Sequence, residues 1–308
     1  MKIKRKIIIG FVVCMLLGLV ACDKKEEASM VKVKVNGQEI TVGEYDKRLA
    51  QMMEMYEAQY GSGIWTQEVE KDKTYKQYLE DMVLDTMILE IVIIEEANKA
   101  GLKVTDEELK EEFAKYKEYF TSEDEYNKFL KEAGMTEDFL KESLKKELLI
   151  DQFLSIKSEE INNLNPSDAE LRALYTDKKI MFDQIEASHI LVDSEKSAKE
   201  IKEKIDKGED FAQLAKEFSS CPSSEEGGNL GYFTYGEMMT EFSEVAFKLK
   251  IGEISDPVKS SYGYHVIKVT DIKDSYEEIE QEELKYQFKT LKYNEMLDNY
   301  IENAKIEK

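Results

Sequence analysis

Ser261-Tyr262-Gly263-Tyr264-His265-Val266-Ile267 holds one of the two histidines in this 308-residue chain, and Ala187-Ser188-His189-Ile190-Leu191-Val192 holds the other. Strands are read over Ile185 to Val192, Pro257-Val258-Lys259 and Tyr264 to Val269. Between them the apolar period becomes helical. Ala198, Ile201 and Ile205 form one helix face that stops at Gly208. Asp210 caps a second helix with Gln213 in the box position, and Phe211, Leu214, Ala215 and Phe218 are its expected buried stripe. A third helix is expected from about Phe242 to Leu249, with Val245 and Ala246 on one face. The connections are glycine-rich: Phe218-Ser219-Ser220-Cys221, then Gly227-Gly228-Asn229-Leu230-Gly231-Tyr232-Phe233, then Gly236-Glu237-Met238.

Upstream, the chain from 31 to about 178 reads as almost wholly helical after one hairpin. Val31, Val33 and Val35 alternate with lysines, Asn36-Gly37 supplies a tight turn, and Glu39 to Val42 return. Helix starts recur with capping-box spacing at Thr41/Glu44, Thr105/Glu108, Ser122/Glu125 and Ser167/Glu170, and Gly101 and Gly134 are placed to end helices. Thr74 to Lys99 is the most apolar segment. Leu79, Met82, Val83, Ile88, Ile91, Ile94 and Ala97 give it wide helical coverage as the centre of a core. Met52, Met53 and Met55 share an amphipathic helix; core packing is the favoured reading over an adaptable client-binding surface. Ser158 to Asn165 loosens into polar residues before Pro166. From Ser275 to about Ile301 a last helix carries Tyr276, Ile279, Leu284, Phe288, Leu291 and Met296 on one face.

Glycine and aromatic landmarks in family order around both histidines make residues 183–272 resemble the parvulin peptidyl-prolyl isomerases. The region 31–178 resembles the N-terminal chaperone domain of extracytoplasmic foldases of the PrsA and SurA types. Two stretches carry that likeness: Val35-Asn36-Gly37-Gln38-Glu39-Ile40-Thr41, and Ala100-Gly101-Leu102-Lys103-Val104-Thr105-Asp106-Glu107-Glu108-Leu109. The fold class implied is α+β: a helical chaperone domain plus a small parvulin-like α/β domain with a four-stranded sheet. Residues 273–308 are then expected to fold back on the chaperone domain, making the isomerase an insertion; a homodimer contact would satisfy the same stripe.

The N-terminus reads as a secretory signal over 1–21. Lys2, Lys4, Arg5 and Lys6 precede an apolar run from Ile7 to Ala21. Fifteen helical residues reach only ~22 Å, short of the ~30 Å hydrocarbon core, so a permanent span is disfavoured. Leu19-Val20-Ala21-Cys22 resembles the bacterial lipobox, which implies acylation of Cys22, a polar tether over 22–30 and an extracytoplasmic protein lipid-anchored to the cell membrane. Removing 1–21 takes away four basic and no acidic residues, moving the formal charge from −22 to −26. Nucleic acid is excluded as a partner by that excess of acid. Cys221 is the one cysteine left beyond the signal and the lipid site, so neither an intramolecular disulfide nor a cysteine–histidine metal site is expected.

The resemblance also implies a site. Leu230, Met238 and Phe242 match the apolar pocket for the prolyl ring. His189 and His265 would lie side by side on central strands, shaping the site more than transferring protons. Cys221 matches the position facing the substrate carbonyl, where many foldase lipoproteins carry aspartate. Pro222 restricts its backbone, and Tyr262 stands where a smaller residue is usual and would narrow the entrance. Twisting an X-Pro amide needs no metal, cofactor or covalent nucleophile: three to four orders of magnitude require lowering a ~20 kcal/mol barrier by about 4–5.5 kcal/mol. Binding the twisted amide better than either planar isomer can supply that. After the first strand, Asp193-Ser194-Glu195-Lys196 is more acidic than basic, so unphosphorylated X-Pro bonds in unfolded secreted proteins are the expected substrates. The rival reading is a catalytically inactive holdase or assembly-binding lipoprotein with a parvulin scaffold. A solute-binding lipoprotein is disfavoured, because the strand and helix order of two ligand-binding lobes is missing.

Overall fold

A computed structural model describes residues 29–70 and 72–307. The expected signal, Cys22 and nearly all of the tether lie outside them. The chain divides into two compact units, one formed by the chain up to Leu164 together with Leu291 onward, the other by Asn165–Thr290.

In the first unit β1 (Val31–Val35) and β2 (Gln38–Thr41) pair antiparallel. Asn36 and Gly37 have φ of 51° and 89°, the two positive values that a type I′ hairpin turn demands. Thr41 then opens α1 (Val42–Tyr60) with a capping box completed by Glu44. After the short strands β3 (Glu68–Glu70) and β4 (Lys73–Thr74), a second box, Thr74 with Gln77, opens α2 (Tyr75–Lys99). Next come α3 (Asp106–Lys117), α4 (Glu123–Glu132) and α5 (Glu137–Asn162). Thr105/Glu108 is a complete box, whereas the Glu125 carboxylate turns to Thr121 and only the Ser122 half of its expected box forms. Gly101 and Gly134 follow the ends of α2 and α4 with φ of 79° and 61°.

The core of this unit is α2 against the hairpin and α5. Leu79, Val83, Ile88 and Val92 pack with Val33, Val35 and Ile40, and Met52 and Met53 lie half-buried against that cluster. Ser158 to Asn162, expected to be loosened chain, completes the last turns of α5. Glutamate and serine cost a solvent-facing helix little, and Asn163 N–H still reaches the Glu159 carbonyl at 3.0 Å.

The second unit starts with α6 (Asp168–Asp177), opened by the Ser167/Glu170 box, and α7 (Lys179–Phe182). Then follow β5 (Gln184–Val192), α8 (Glu195–Asp206), α9 (Phe211–Phe218), a 3-10 turn over Pro222–Glu226, β6 (Asn229–Thr234), α10 (Thr240–Ala246), β7 (Val258–Ser260) and β8 (Gly263–Lys273). The strands form one antiparallel sheet in the order β6-β5-β8-β7. Period-two alternation sorts its two faces. Ile190, Val192 and Val266 pack under α8 and α9, while Ile185, Ala187, Ile267 and Val269 pack under α10 with Phe233 and Phe242. Phe218 corrects the stripe expected of α9, being 38% exposed at the helix's last residue with the Lys204 ammonium 4.8 Å from its ring centroid.

After a 3-10 turn at Tyr276–Glu278, α11 (Gln281–Glu302) crosses the division between the units, and its apolar stripe serves both. Tyr276, Ile279, Leu284 and Phe288 pack with Leu171, Tyr175 and Phe182 of the second unit. Tyr293, Met296 and Leu297 pack with Leu89, Ile93, Ile150 and Phe153 of the first. The chain then adds β9 (Ile306–Glu307) to the free side of β1. These contacts engage most of the stripe from within the chain.

Candidate active site

Both histidines sit on the α10 face of the sheet. His189 lies opposite Ile267 and His265 opposite Leu191, which makes the two diagonal neighbours on adjacent central strands. Their Nδ1 atoms are 3.0 Å apart, and their rings stack with centroids 5.3 Å apart. Both are buried, at 5% and 3% exposure.

Ser260 at the end of β7 completes the chain of bonds. Its Oγ lies 2.8 Å from His265 Nε2 and accepts the Tyr262 N–H at 3.0 Å. His189 Nε2, at the other end, is buried without a hydrogen-bond partner. A buried N–H without an acceptor is rarer and costlier than a bare lone pair. The favoured proton arrangement therefore has His189 Nδ1–H donating to His265 Nδ1 and His265 Nε2–H donating to Ser260 Oγ. Burial, and secondly the neighbouring His265, push the His189 pKa down to about 4; burial alone lowers that of His265. Both rings are neutral at pH 7.

Phe242 joins this pair to an apolar patch. Its ring meets His189 edge-on at 5.8 Å and His265 at 5.4 Å. Leu230 from β6 and Met238 from the turn before α10 are half-buried against the same cluster as Phe242, so all three expected pocket residues come together. Tyr262 is 72% exposed, with its side chain mainly in solvent.

Cys221 is half-buried and is held beside the sheet through its neighbours. Ser219 Oγ accepts the N–H groups of Leu191 at 3.1 Å and Cys221 at 3.3 Å. Ser220 donates its N–H and hydroxyl to the Leu191 carbonyl at 2.8 and 3.1 Å. Leu191 is the cross-strand partner of His265, so this clamp fixes the cysteine segment relative to the histidines. Gly228 ties the following turn to the same strand: its carbonyl accepts the His189 N–H at 2.9 Å, and its own N–H reaches the Ser223 carbonyl at 2.8 Å. A Cβ there would stand 2.3 Å from the His189 carbonyl oxygen at a φ of +85°, so the position requires glycine.

Sequence reasoning missed Ser260, because a hydroxyl at a strand end has no periodic signature. Its signal was position: it stands five residues before His265 in a three-residue strand paired with β8. Groups of three or more metal-ligating side chains are absent among the described residues.

An antiparallel four-stranded sheet with a neutral histidine pair over an apolar cluster defines a parvulin-type isomerase module, and residues 181–271 match the PPIC-type peptidyl-prolyl isomerase domain. Residues 2–154 match the SurA-like N-terminal domain. Over 257 residues the chain is 38% identical to the foldase protein PrsA of Caldanaerobacter subterraneus subsp. tengcongensis, covering 82% of this chain and 78% of that one. Over 217 residues it is 41% identical to the PrsA of Geobacillus kaustophilus, covering 70% and 72%. A solved structure of PrsA from Bacillus anthracis aligns at 33% identity and a TM-score of 0.37, over 71% of this chain and 95% of that one. The chain belongs to the PrsA foldase family. It is a peptidyl-prolyl isomerase and foldase that assists the folding of secreted proteins.

Proposed function

We propose that the prolyl ring of an unfolded client seats against Leu230, Met238 and Phe242, with its amide over the His189–His265 pair and its carbonyl toward Cys221. The observation that carries this reading is the neutral, mutually bonded histidine pair packed edge-on against Phe242. An apolar seat strips water from the amide and so favours the less polar twisted state. Two uncharged rings held in one tautomer by Ser260 give that state a fixed wall. Differential binding of about 4–5.5 kcal/mol between twisted and planar amide accounts for an acceleration of three to four orders of magnitude. Cys221 places a polarisable sulfur near the carbonyl carbon as resonance is lost; no covalent step is required.

The clients in this reading are secreted chains with unmodified X-Pro bonds, met outside the cytoplasm. The protein is held at the membrane by lipid on Cys22, with 22–30 as its tether, 31 to 164 as the main part of the chaperone, and 183–272 as isomerase in the unit that also holds α6. The charge-then-apolar order before Cys22 supports the anchor, and among the described residues no helix is long and apolar enough to cross a membrane. The acidic loop from Asp193 to Lys196 opposes phosphate before proline. Exchange spectroscopy on a matched pair of peptides, Ala-Ser-Pro and its phosphoserine form, tests both parts. Faster exchange of the unmodified peptide is expected. No acceleration of either, or preference for the phosphopeptide, would overturn the reading.

A further inference from the structure

On the other face of the same sheet, behind the loop that carries Cys221, lies a cavity of about 330 Å³ between α8, the end of α9 and the end of β5. Its floor is apolar, made by Val192, Ile201 and the exposed ring of Phe218, and its rim is charged, with Asp193 and Glu200 against Lys204. The charges are unevenly satisfied. Lys204 leans on Phe218 and stands 3.9 Å from Glu209. Glu200 meets only the well-exposed Lys196, at 3.8 Å. Asp193 makes no ion pair among the described residues.

Ser220, the residue before Cys221, forms part of the wall, so the groove begins one residue from the proposed catalytic position. Extended chain advances ~3.3 Å per residue, so each residue beyond a proline seated at Cys221 adds that length toward the wall formed by Ser220.

We propose that the groove receives a lysine or arginine of the client chain, within a few residues of the proline. The aliphatic stem lies on Val192, Ile201 and Phe218, and the cationic head meets Asp193 and Glu200. This rests on the isomerase site described above and adds a substrate class to it: prolyl segments flanked by a basic residue. A carboxylate at the same place would meet two carboxylates against one ammonium, Lys204, which already leans on Phe218 and Glu209, and a net charge of −22 on the chain. A purely apolar side chain would leave Asp193 beside it without a counter-ion.

The test uses the ¹⁵N-labelled protein from Asp23 onward and an alanine-rich prolyl peptide in which a single lysine is moved from three residues before the proline to three after. At its best position lysine is expected to tighten binding about fivefold over the all-alanine peptide, as two exposed ion pairs allow. Glutamate there should weaken binding, and the amides of Ser197, Ile201 and Lys204 should shift. Asp193 and Glu200 are exposed, so Asp193→Asn with Glu200→Gln keeps the fold and is expected to erase the lysine advantage. If no lysine position binds more tightly than alanine, if those amides do not move, or if the double variant keeps the preference, the proposal is overturned. Failure of the isomerase reading looks different: the lysine peptide would bind and shift the groove amides while no peptide's cis–trans exchange is accelerated.

Discussion

Replacing Gly228 by alanine should damage the isomerase unit far more than the loss of one glycine ordinarily does. The added methyl would lie 2.3 Å from the His189 carbonyl oxygen, inside the 3.0 Å limit of real contacts, and 3.2 Å from Ala215 Cβ. The obstacle at His189 is backbone of a central strand, which cannot swing aside as a side chain could. A non-glycine residue at φ +85° costs about 1–2 kcal/mol by itself. Moving the turn to relieve the clash breaks the His189 N–H bond to the Gly228 carbonyl and leaves a donor buried, about 1–3 kcal/mol more. The expected loss is about 2–5 kcal/mol. Gly231→Ala is the control: its φ is +70° and nothing lies within 4 Å of the new Cβ, so it should lose only about 1–2 kcal/mol. Urea titration followed by the amide signals of β5 and β8 gives both values on the same unit. If Gly228→Ala is no less stable than Gly231→Ala, the glycine is not what holds the cysteine turn against His189.

Acid should reach the histidine pair late. The folded His189 resists protonation down to about pH 4 while the unfolded ring titrates near 6.5. The unfolded state therefore binds more protons as pH falls between those values, and stability declines across that window by about 3 kcal/mol from His189 alone. Imidazole ¹⁵N signals that report a neutral His189 ring from pH 8 to 5.5 would agree, and a His189 midpoint near 7 would not. Deleting Ile306 to Lys308 removes β9 from the edge of β1 and an apolar residue that packs on the same cluster as Trp65. We expect a loss of about 1–3 kcal/mol in the unfolding free energy from urea titration read by the single tryptophan. Thr105→Ala deletes the hydroxyl half of a complete capping box and should cost about 1 kcal/mol on that same readout, while Thr105→Ser should restore most of it.

Local chemistry carried most of what could be read in advance. Asn36-Gly37 specifies its turn through two positive φ values, and the Thr41, Thr105 and Ser167 boxes mark true helix starts because the reciprocal bonds span only three residues. Alternation placed His189 and His265 on strands; the landmarks around them implied that they meet. Three things were out of reach for physical reasons. An apolar stripe states that a helix is covered without stating by what, so Leu284 and Met296 of α11 looked alike although they pack within different units. Phe218 fits the spacing of a buried face, yet it falls at the helix end, where the sheet no longer covers it. Ser260 gives no pattern at all, and its part follows from one 2.8 Å bond to His265.

Cis–trans exchange of an unphosphorylated Ala-Pro peptide, compared between the protein from Asp23 onward and its His265→Ala variant, tests the central claim most directly. The account predicts catalysed exchange in the first and a fall of at least tenfold in the second, with the variant still folded by its amide spectrum; tenfold corresponds to about 1.4 kcal/mol of lost preference for the twisted amide. Equal exchange in both folded proteins would place the chemistry away from the histidine pair and contradict the account.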